Sequence, residues 1–490
     1  MSVKEINFSC RLPLLVLFIS AAIWLVICSA LTLIASLKFH SPTFLADISW
    51  LTYGRVRPAA SNAMLYGFCL QAGLGVALWL LAHLGRTPLA GRGLATLGAA
   101  LWNLGVTIGV GGILGGDSTG FDTLEMPRYA VVIMFLGYLV LGLWGVITFH
   151  RRAQRTLFVS QWFVFTALFW FPWIYTTAEM LLVARPVRGV AQAIIAWWYA
   201  DNLLVVWLGL VGIATVFYLV PKLLKVELHS HYLALLTFWM LLLFGSWGGI
   251  PGGAPVPAWI PALSGAATVL MVIPLIAVTV NIYATTQQIV PKTPYLPGLA
   301  PHYLPLDTRR LTLSNSLRFL LFGVFAFFIA GVMRVTSVLA DPRPMLRFTW
   351  FDFAQNQVQT YGFFAMIMFG ATYFILPQLT DTEFPSPKLI RAHFWVAALG
   401  IGLLVVPLAT GGIIQGFQLM NPTIAPLTVA KNALHFLRVS TLGDLLLLLG
   451  HLIFLVNLAG WASGFYRARA AAAFAVMTED LFKPSEAPAS

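Results

Sequence analysis

Charge is the first thing this chain lacks. Asp, Glu, Lys and Arg make up 9% of its 490 residues against 59% hydrophobic residues, and the mean hydropathy is +0.85. A soluble domain needs far more polar side chains to cover its surface, so a water-soluble fold is excluded. Cysteine is equally sparse. Cys10, Cys28 and Cys69 lie apart, in or beside apolar stretches, and no CxxC or CxxCH occurs. Neither a disulfide framework nor covalently attached c-type heme is therefore supported. The net charge of +12 comes from basic residues spread over short loops, such as HRRAQR at 150–155, and not from one basic face or tail. Nucleic acid is not an expected partner. No internal repeat is evident.

What the chain has in abundance is long hydrophobic runs. They fall near 13–38, 58–84, 92–115, 129–150, 158–183, 196–220, 232–248, 260–285, 316–340, 353–377, 393–418 and 439–465. Each is roughly 17 to 27 residues, the length a bilayer demands of a helix. The expectation is an all-α polytopic membrane protein of about twelve transmembrane helices. Residues 1–470 would form one transmembrane domain, 471–490 a cytoplasmic tail, and 286–315 a cytoplasmic connector. The distribution of Lys and Arg among the loops places both termini in the cytoplasm. The run 13–38 is too long, and too soon followed by others, for a cleaved signal peptide, so it reads as the first helix. Membrane lipid is an expected partner.

One of these runs begins strangely. FDFAQNQVQTYGFF (351–364) carries Gln355, Asn356, Gln357 and Gln359 into a helix otherwise suited to lipid. Uncharged amides are costly in hydrocarbon unless they find partners, so the cluster signals a polar interior or an interface. Asp352 reads as a possible helix cap, with the amides as first turns satisfied by water.

Several short stretches, taken in order, carry a resemblance. They are YGRVRPAASNA (53–63), FVSQWF (158–163), WWYADN (197–202), FYLVPK (217–222), FGATYFILPQL (369–379), HFWVAALGIGLLV (393–405) and GIIQG (412–416). Together they resemble subunit I of the cbb3-type, or C-family, heme-copper cytochrome c oxidases of bacteria. The resemblance implies a twelve-helix bundle in the bacterial inner membrane, working in aerobic respiration beside cytochrome c-type oxidase subunits. It also implies six histidines: two on a low-spin heme b, one on a high-spin heme and three on a copper ion.

Carried over one position at a time, those histidines are missing. The helix-two heme b ligand falls on Ala60, and the His-x-His of the tenth helix falls on Gln355 and Gln357. The copper ligands fall on Asp201, Gly249 and Ile250, the last two aligned through Pro257 and Trp259; no histidine occurs between His231 and His302. The family's cross-linked tyrosine has Phe327 or Phe328 in its neighbourhood. At 100° per residue, positions 355 and 357 point to opposite flanks of one helix, which is how one helix would serve two hemes. Other histidines are placed near helix ends or in loops, and only His451 at mid-membrane.

The remaining candidates are polar residues in apolar surroundings. Asp201 reads either as an ionisable site in an emptied cavity or as a helix-end residue bonded to Asn202 and water. Asp444 and His451, seven apart, share a helix face with Leu447 and Leu448 between them, and read as buried, satisfied groups. Arg55 and Arg57 match the family's basic pair that faces heme propionates; without heme they are candidates for lipid headgroups or a partner. GGIPGG (248–253) lacks the Lys and Ser/Thr of a phosphate loop and reads as a tight turn.

The leading expectation is a subunit I-like scaffold without heme or copper, serving as a non-catalytic subunit of a respiratory complex. Two other readings stay open. One is an active terminal oxidase that holds heme b and copper through unforeseen ligands. The other is a transporter or proton-conducting protein that uses the emptied cavity.

Overall fold

The computed structural model describes residues 2–288, 314–339 and 343–482. Within them the hydrophobic runs become helices: α1 (Val3–Leu37), α2 (Tyr53–Gly85), α3 (Arg92–Gly115), α4 (Arg128–His150), α5 (Val159–Ala184) and α6 (Ala191–Leu224). The second half holds α7 (His231–Gly245), α8 (Trp259–Gln287), α9 (Asn315–Val338), α10 (Trp350–Thr380), α11 (Pro387–Leu419) and α12 (Pro426–Phe482). All twelve expected spans are present, and the chain is a multi-pass membrane protein. Eleven are long and apolar enough to cross a bilayer; α7, at 15 residues, is shorter than the roughly 20 of a straight crossing. Most of the connector, 289–313, and the end of the tail, 483–490, lie outside the described residues. Short serine caps start several helices: Ser2, Ser230, Ser314 and Ser386 each accept a hydrogen bond from the backbone N–H three residues on.

Burial separates the helices into two classes. The apolar windows of α2, α6 and α10 are 100%, 94% and 83% buried, whereas those of α3, α4, α5, α8, α9, α11 and α12 are 44% buried. Three helices thus form the centre, α1 is intermediate at 61%, and the seven at 44% present one face to lipid. The three can approach closely because small residues stand where they meet. A Cβ on Gly73 of α2 would lie 2.8 Å from Trp207 of α6 and 3.1 Å from Phe364 of α10. Polar side chains join the inner helices as well. Gln71 of α2 and Asn103 of α3 are bonded at 2.8 Å, and both meet the Ser20 hydroxyl of α1, at 2.6 and 3.0 Å. Such contacts hold amides in a dry core without an orphaned group.

The central helices are locally widened. π-helical stretches occupy Ala63–Cys69 in α2, Asn202–Trp207 in α6 and Val358–Ala365 in α10, with a further one at Glu179–Ala184 in α5. A π turn frees a carbonyl from the helical ladder and is often found at functional sites. Here the Leu204 carbonyl accepts a hydrogen bond from Gln359 Nε2 at 2.9 Å, tying α6 to α10.

Candidate cofactor site

The three central π-helical stretches begin just after Ala60, Asp201 and Gln357. That places the singled-out residues around the opening turns of α10, in two cavities. The larger, about 230 Å³, is lined by Asp201, Gly249, Ile250 and Gln355, with Arg334, Arg347 and Asp352. The smaller, about 100 Å³, is lined by Ala60, Gln357 and Arg57, with Met64 and Tyr361. Gln355 and Gln357 therefore face different cavities, as residues 200° apart on one helix must.

The start of α10 differs from the expected cap. Thr349, not Asp352, is the N-cap; its hydroxyl accepts from Phe351 N–H, while the Asp352 carboxylate accepts from Phe348 N–H at 2.8 Å. Gln359 is 8% exposed and satisfied by protein through Leu204, so it is not an interfacial residue satisfied by water. The Gln355 Oε1 atom is buried without a partner.

In the larger cavity Asp201 has a partner that the sequence did not suggest. Its carboxylate forms an ion pair with the Arg334 guanidinium of α9, the two side chains 8% and 16% exposed. Asn202 does not bond to it; its Nδ2 donates to the carbonyls of Trp198 and Ser246, at 2.9 and 3.2 Å. A second, looser pair joins Arg347 and Asp352 at 3.9 Å. The glycine turn is as tight as expected. Gly249 has φ +95°, and a Cβ there would lie 2.7 Å from both Asp201 Cβ and the Trp197 carbonyl oxygen. Ile250 N–H donates to the Ser264 hydroxyl at 3.0 Å. Phe327 packs on Phe363 with ring centroids 4.8 Å apart.

The smaller cavity is bounded by Arg57, whose guanidinium lies 4.1 Å from the Phe353 ring centre. Arg55 does not line it and donates to the Leu114 carbonyl at 3.4 Å. Its roof is the loop between α3 and α4. There the Glu125 carboxylate, 6% exposed, accepts from Asn62 Nδ2 at 2.6 Å. The Tyr66 hydroxyl donates to the Thr123 carbonyl at 2.7 Å and accepts from Tyr199 at 2.6 Å. Burial, reinforced by the charge of Asp122, pushes the Glu125 carboxyl up from 4.5 to about 7. A carboxyl raised in the folded state favours its neutral form there, so its contribution is intact below pH 4.5 and is lost as pH climbs to 7. Glu125→Gln should therefore stabilise the protein at pH 8 by at most about 3 kcal/mol, seen as a higher thermal midpoint, and leave the midpoint unchanged near pH 4.5. A pH series of melting curves in detergent checks it; equal gains at both pH values would contradict the assignment.

Asp444 and His451 are both buried on α12. Polar partners come from α1: His451 Nδ1 meets the Ser29 hydroxyl at 2.6 Å, and near Asp444 the Ser36 hydroxyl meets Thr441 of α12 at 2.8 Å. His451 is only half satisfied, because its Nε2 has no partner. His393 corrects the sequence placement. It is fully buried, nearly two turns inside α11, and its ring centroid is 6.5 Å from that of His451. Among the described residues no group of three or more His, Cys, Asp or Glu side chains converges in a metal-binding arrangement.

Comparison with known proteins gives the family. The family model for cytochrome c and quinol oxidase polypeptide I matches residues 13–446. The chain belongs to that family. It is 25% identical over 419 residues to a cytochrome c oxidase subunit 1 homolog of Azorhizobium caulinodans, covering 81% of this chain and 71% of that one. It is 23% identical over 413 residues to the cbb3-type cytochrome c oxidase subunit CcoN1 of Stutzerimonas stutzeri, covering 82% of each. A heme-copper terminal oxidase dimer solved by cryo-electron microscopy has the same fold, with a TM-score of 0.69 at 13% identity over 91% of this chain and 84% of that one. The protein is thus a cytochrome c oxidase subunit I-like, cbb3-related membrane protein of the heme-copper oxidase family.

Proposed function

We propose that this subunit I-like chain holds neither heme nor the family's copper ion in its central cavities and serves as a non-catalytic membrane subunit of a respiratory complex. The observation that carries the reading is the Asp201–Arg334 ion pair in the larger cavity. At the position aligned with a copper ligand stands a carboxylate already neutralised by an internal cation, beside a glycine with no room for any side chain. Two further features support it. Among the described residues no histidine lines either cavity, and a glutamine amide is a poor substitute for imidazole on heme iron. The cavities, about 230 and 100 Å³, are also smaller than the roughly 300 Å³ at which small-molecule pockets begin. The residues present do not fit the family's cofactors, and no redox step is assigned to them.

On this reading the chain sits in the inner membrane with both termini in the cytoplasm, beside other oxidase subunits, which the bacterial relatives and the loop charges support. A transport reading would need Asp201 free to exchange its partner, and the pair with Arg334 argues against that. The test is an absorption spectrum with pyridine hemochrome on the purified, detergent-solubilised chain. The expected result is heme far below one per chain. Stoichiometric low-spin heme b would revive the oxidase reading; such a spectrum in Gln357→His with Ala60→His alone would mark those positions as the lost ligands.

A further inference from the structure

His393 of α11 and His451 of α12 lie away from both cavities, and both are fully buried. Their ring planes are 75° apart at the 6.5 Å centroid separation. Each ring has its Nδ1 held by a hydroxyl: His393 by Tyr373 at 3.0 Å, His451 by Ser29 at 2.6 Å. The Ser29 hydroxyl also lies 2.7 Å from the Leu25 carbonyl, and with its one proton given there it accepts from His451 Nδ1–H. In that arrangement His451 Nε2 is a bare lone pair. Both Nε2 atoms are enclosed and have no partner. Buried polar atoms nearly always find one, so two orphans on neighbouring rings require an explanation. One ring nitrogen fixed by a hydrogen bond and the other open is the arrangement of metal-binding histidines.

The separation narrows the choice. Two imidazoles facing each other across one ion, with metal–nitrogen bonds of about 2.0 Å, place their centroids about 6.3 Å apart. A direct N–H···N hydrogen bond of about 2.9 Å would bring them to about 5.2 Å. The observed 6.5 Å fits the first. The walls are aromatic: Phe369 lies 4.5 Å from His393 and 5.7 Å from His451, and Phe454 lies 5.2 Å from His393. A dry site of two neutral nitrogens does not suit a divalent ion, which needs more ligands and charge compensation. Cuprous ion carries one charge and accepts two nitrogen donors in a line.

A path of soft donors leads to the pair. Met64 and Tyr361 line the smaller cavity; Cys28 Sγ is 3.8 Å from Met64 Sδ and 4.0 Å from the Tyr361 hydroxyl, and the Tyr361 ring stacks over His451 at 6.0 Å. Sulfur ligands of this kind favour Cu(I) and supply stepping points for it. We propose that His393 and His451 bind a single Cu(I) ion between their Nε2 atoms, reached through Met64 and Cys28.

The site is independent of whether the two cavities hold cofactors. The experiment loads the full-length, detergent-solubilised chain anaerobically with Cu(I) against a competing chelator, counts bound copper and records its X-ray absorption. One copper per chain with two nitrogen neighbours at about 1.9 to 2.0 Å is expected. His393→Phe and His451→Phe should each abolish retention, Ser29→Ala should weaken it roughly 10- to 100-fold, and Asp201→Asn should leave it unchanged. Copper retained in both histidine variants, sulfur or four-coordinate ligation, or no copper in the natural chain would overturn the proposal. If the histidine variants do not fold, the ligand spectrum of the natural chain decides alone; a water bridging the two nitrogens would appear as a chain that binds no copper.

Discussion

Arg334→Met is expected to destabilise the protein by about 3 to 5 kcal/mol, the usual cost of removing one partner from a buried ion pair. The loss comes less from the missing attraction than from what remains: Asp201, 8% exposed, would hold a charge in the larger cavity with no cation against it. The second substitution is therefore the informative one. Asp201→Asn in the Arg334→Met background removes the stranded charge, and the double variant should recover most of the lost stability. Tryptophan-fluorescence melts in one detergent, for the two single variants and the double, measure the coupling. Additive losses would show that the pair does not act as a unit. The same pair bears on chemistry, because Arg334 supplies from within the protein the positive charge that a bound metal would otherwise bring to Asp201.

Gly249→His, which would restore a histidine at a position aligned with a copper ligand, is expected to damage the fold and not to repair a site. The backbone at φ +95° lies where side chains other than glycine are strained, at a cost of about 1 to 3 kcal/mol. The new Cβ would also lie 2.7 Å from Asp201 Cβ and from the Trp197 carbonyl oxygen, and forcing extra atoms into a packed site costs about 1 to 3 kcal/mol more. Even Gly249→Ala should show most of the loss, because the clash is with Cβ itself. Ile250→Ala, next in the chain and free of both constraints, is the control and should be milder. Thermal midpoints and detergent-soluble yield check this. A Gly249→His variant as stable as the natural chain would mean that the turn can open, and that the cavity is less fixed than its contacts indicate.

Much of the architecture was legible in the residues. All twelve spans could be read because a bilayer imposes a length and an apolar composition on each helix locally, with no help from its neighbours. The opposite facing of Gln355 and Gln357 was legible for a similar reason, since it follows from helical geometry alone. The tightness of the GGIPGG turn could be anticipated from its glycines.

Other features depended on distant parts of the chain. Asp201 stands out as an intramembrane acid, but its partner Arg334 lies on another helix, and no local pattern links them. A search for basic residues inside apolar runs would have found Arg334 as a candidate. The α10 cap fell to Thr349 because Asp352 turns back to Phe348 N–H, a choice set by the backbone path into the helix. His393 was read as a helix-end residue because its hydrophobic run was taken to begin there; α11 starts at Pro387, which carries His393 inward against Phe369 and His451.

The sequence by itself determined that this is a many-helix membrane protein of the oxidase subunit I type, because helix length, polarity and motif order are local properties. Only the tertiary structure decided which helices are central, that Asp201 is paired with Arg334, that Gly249 admits no side chain, and that two histidines meet with open nitrogens. Those are properties of surfaces brought together by packing, where helices far apart in the chain supply each other's neighbours.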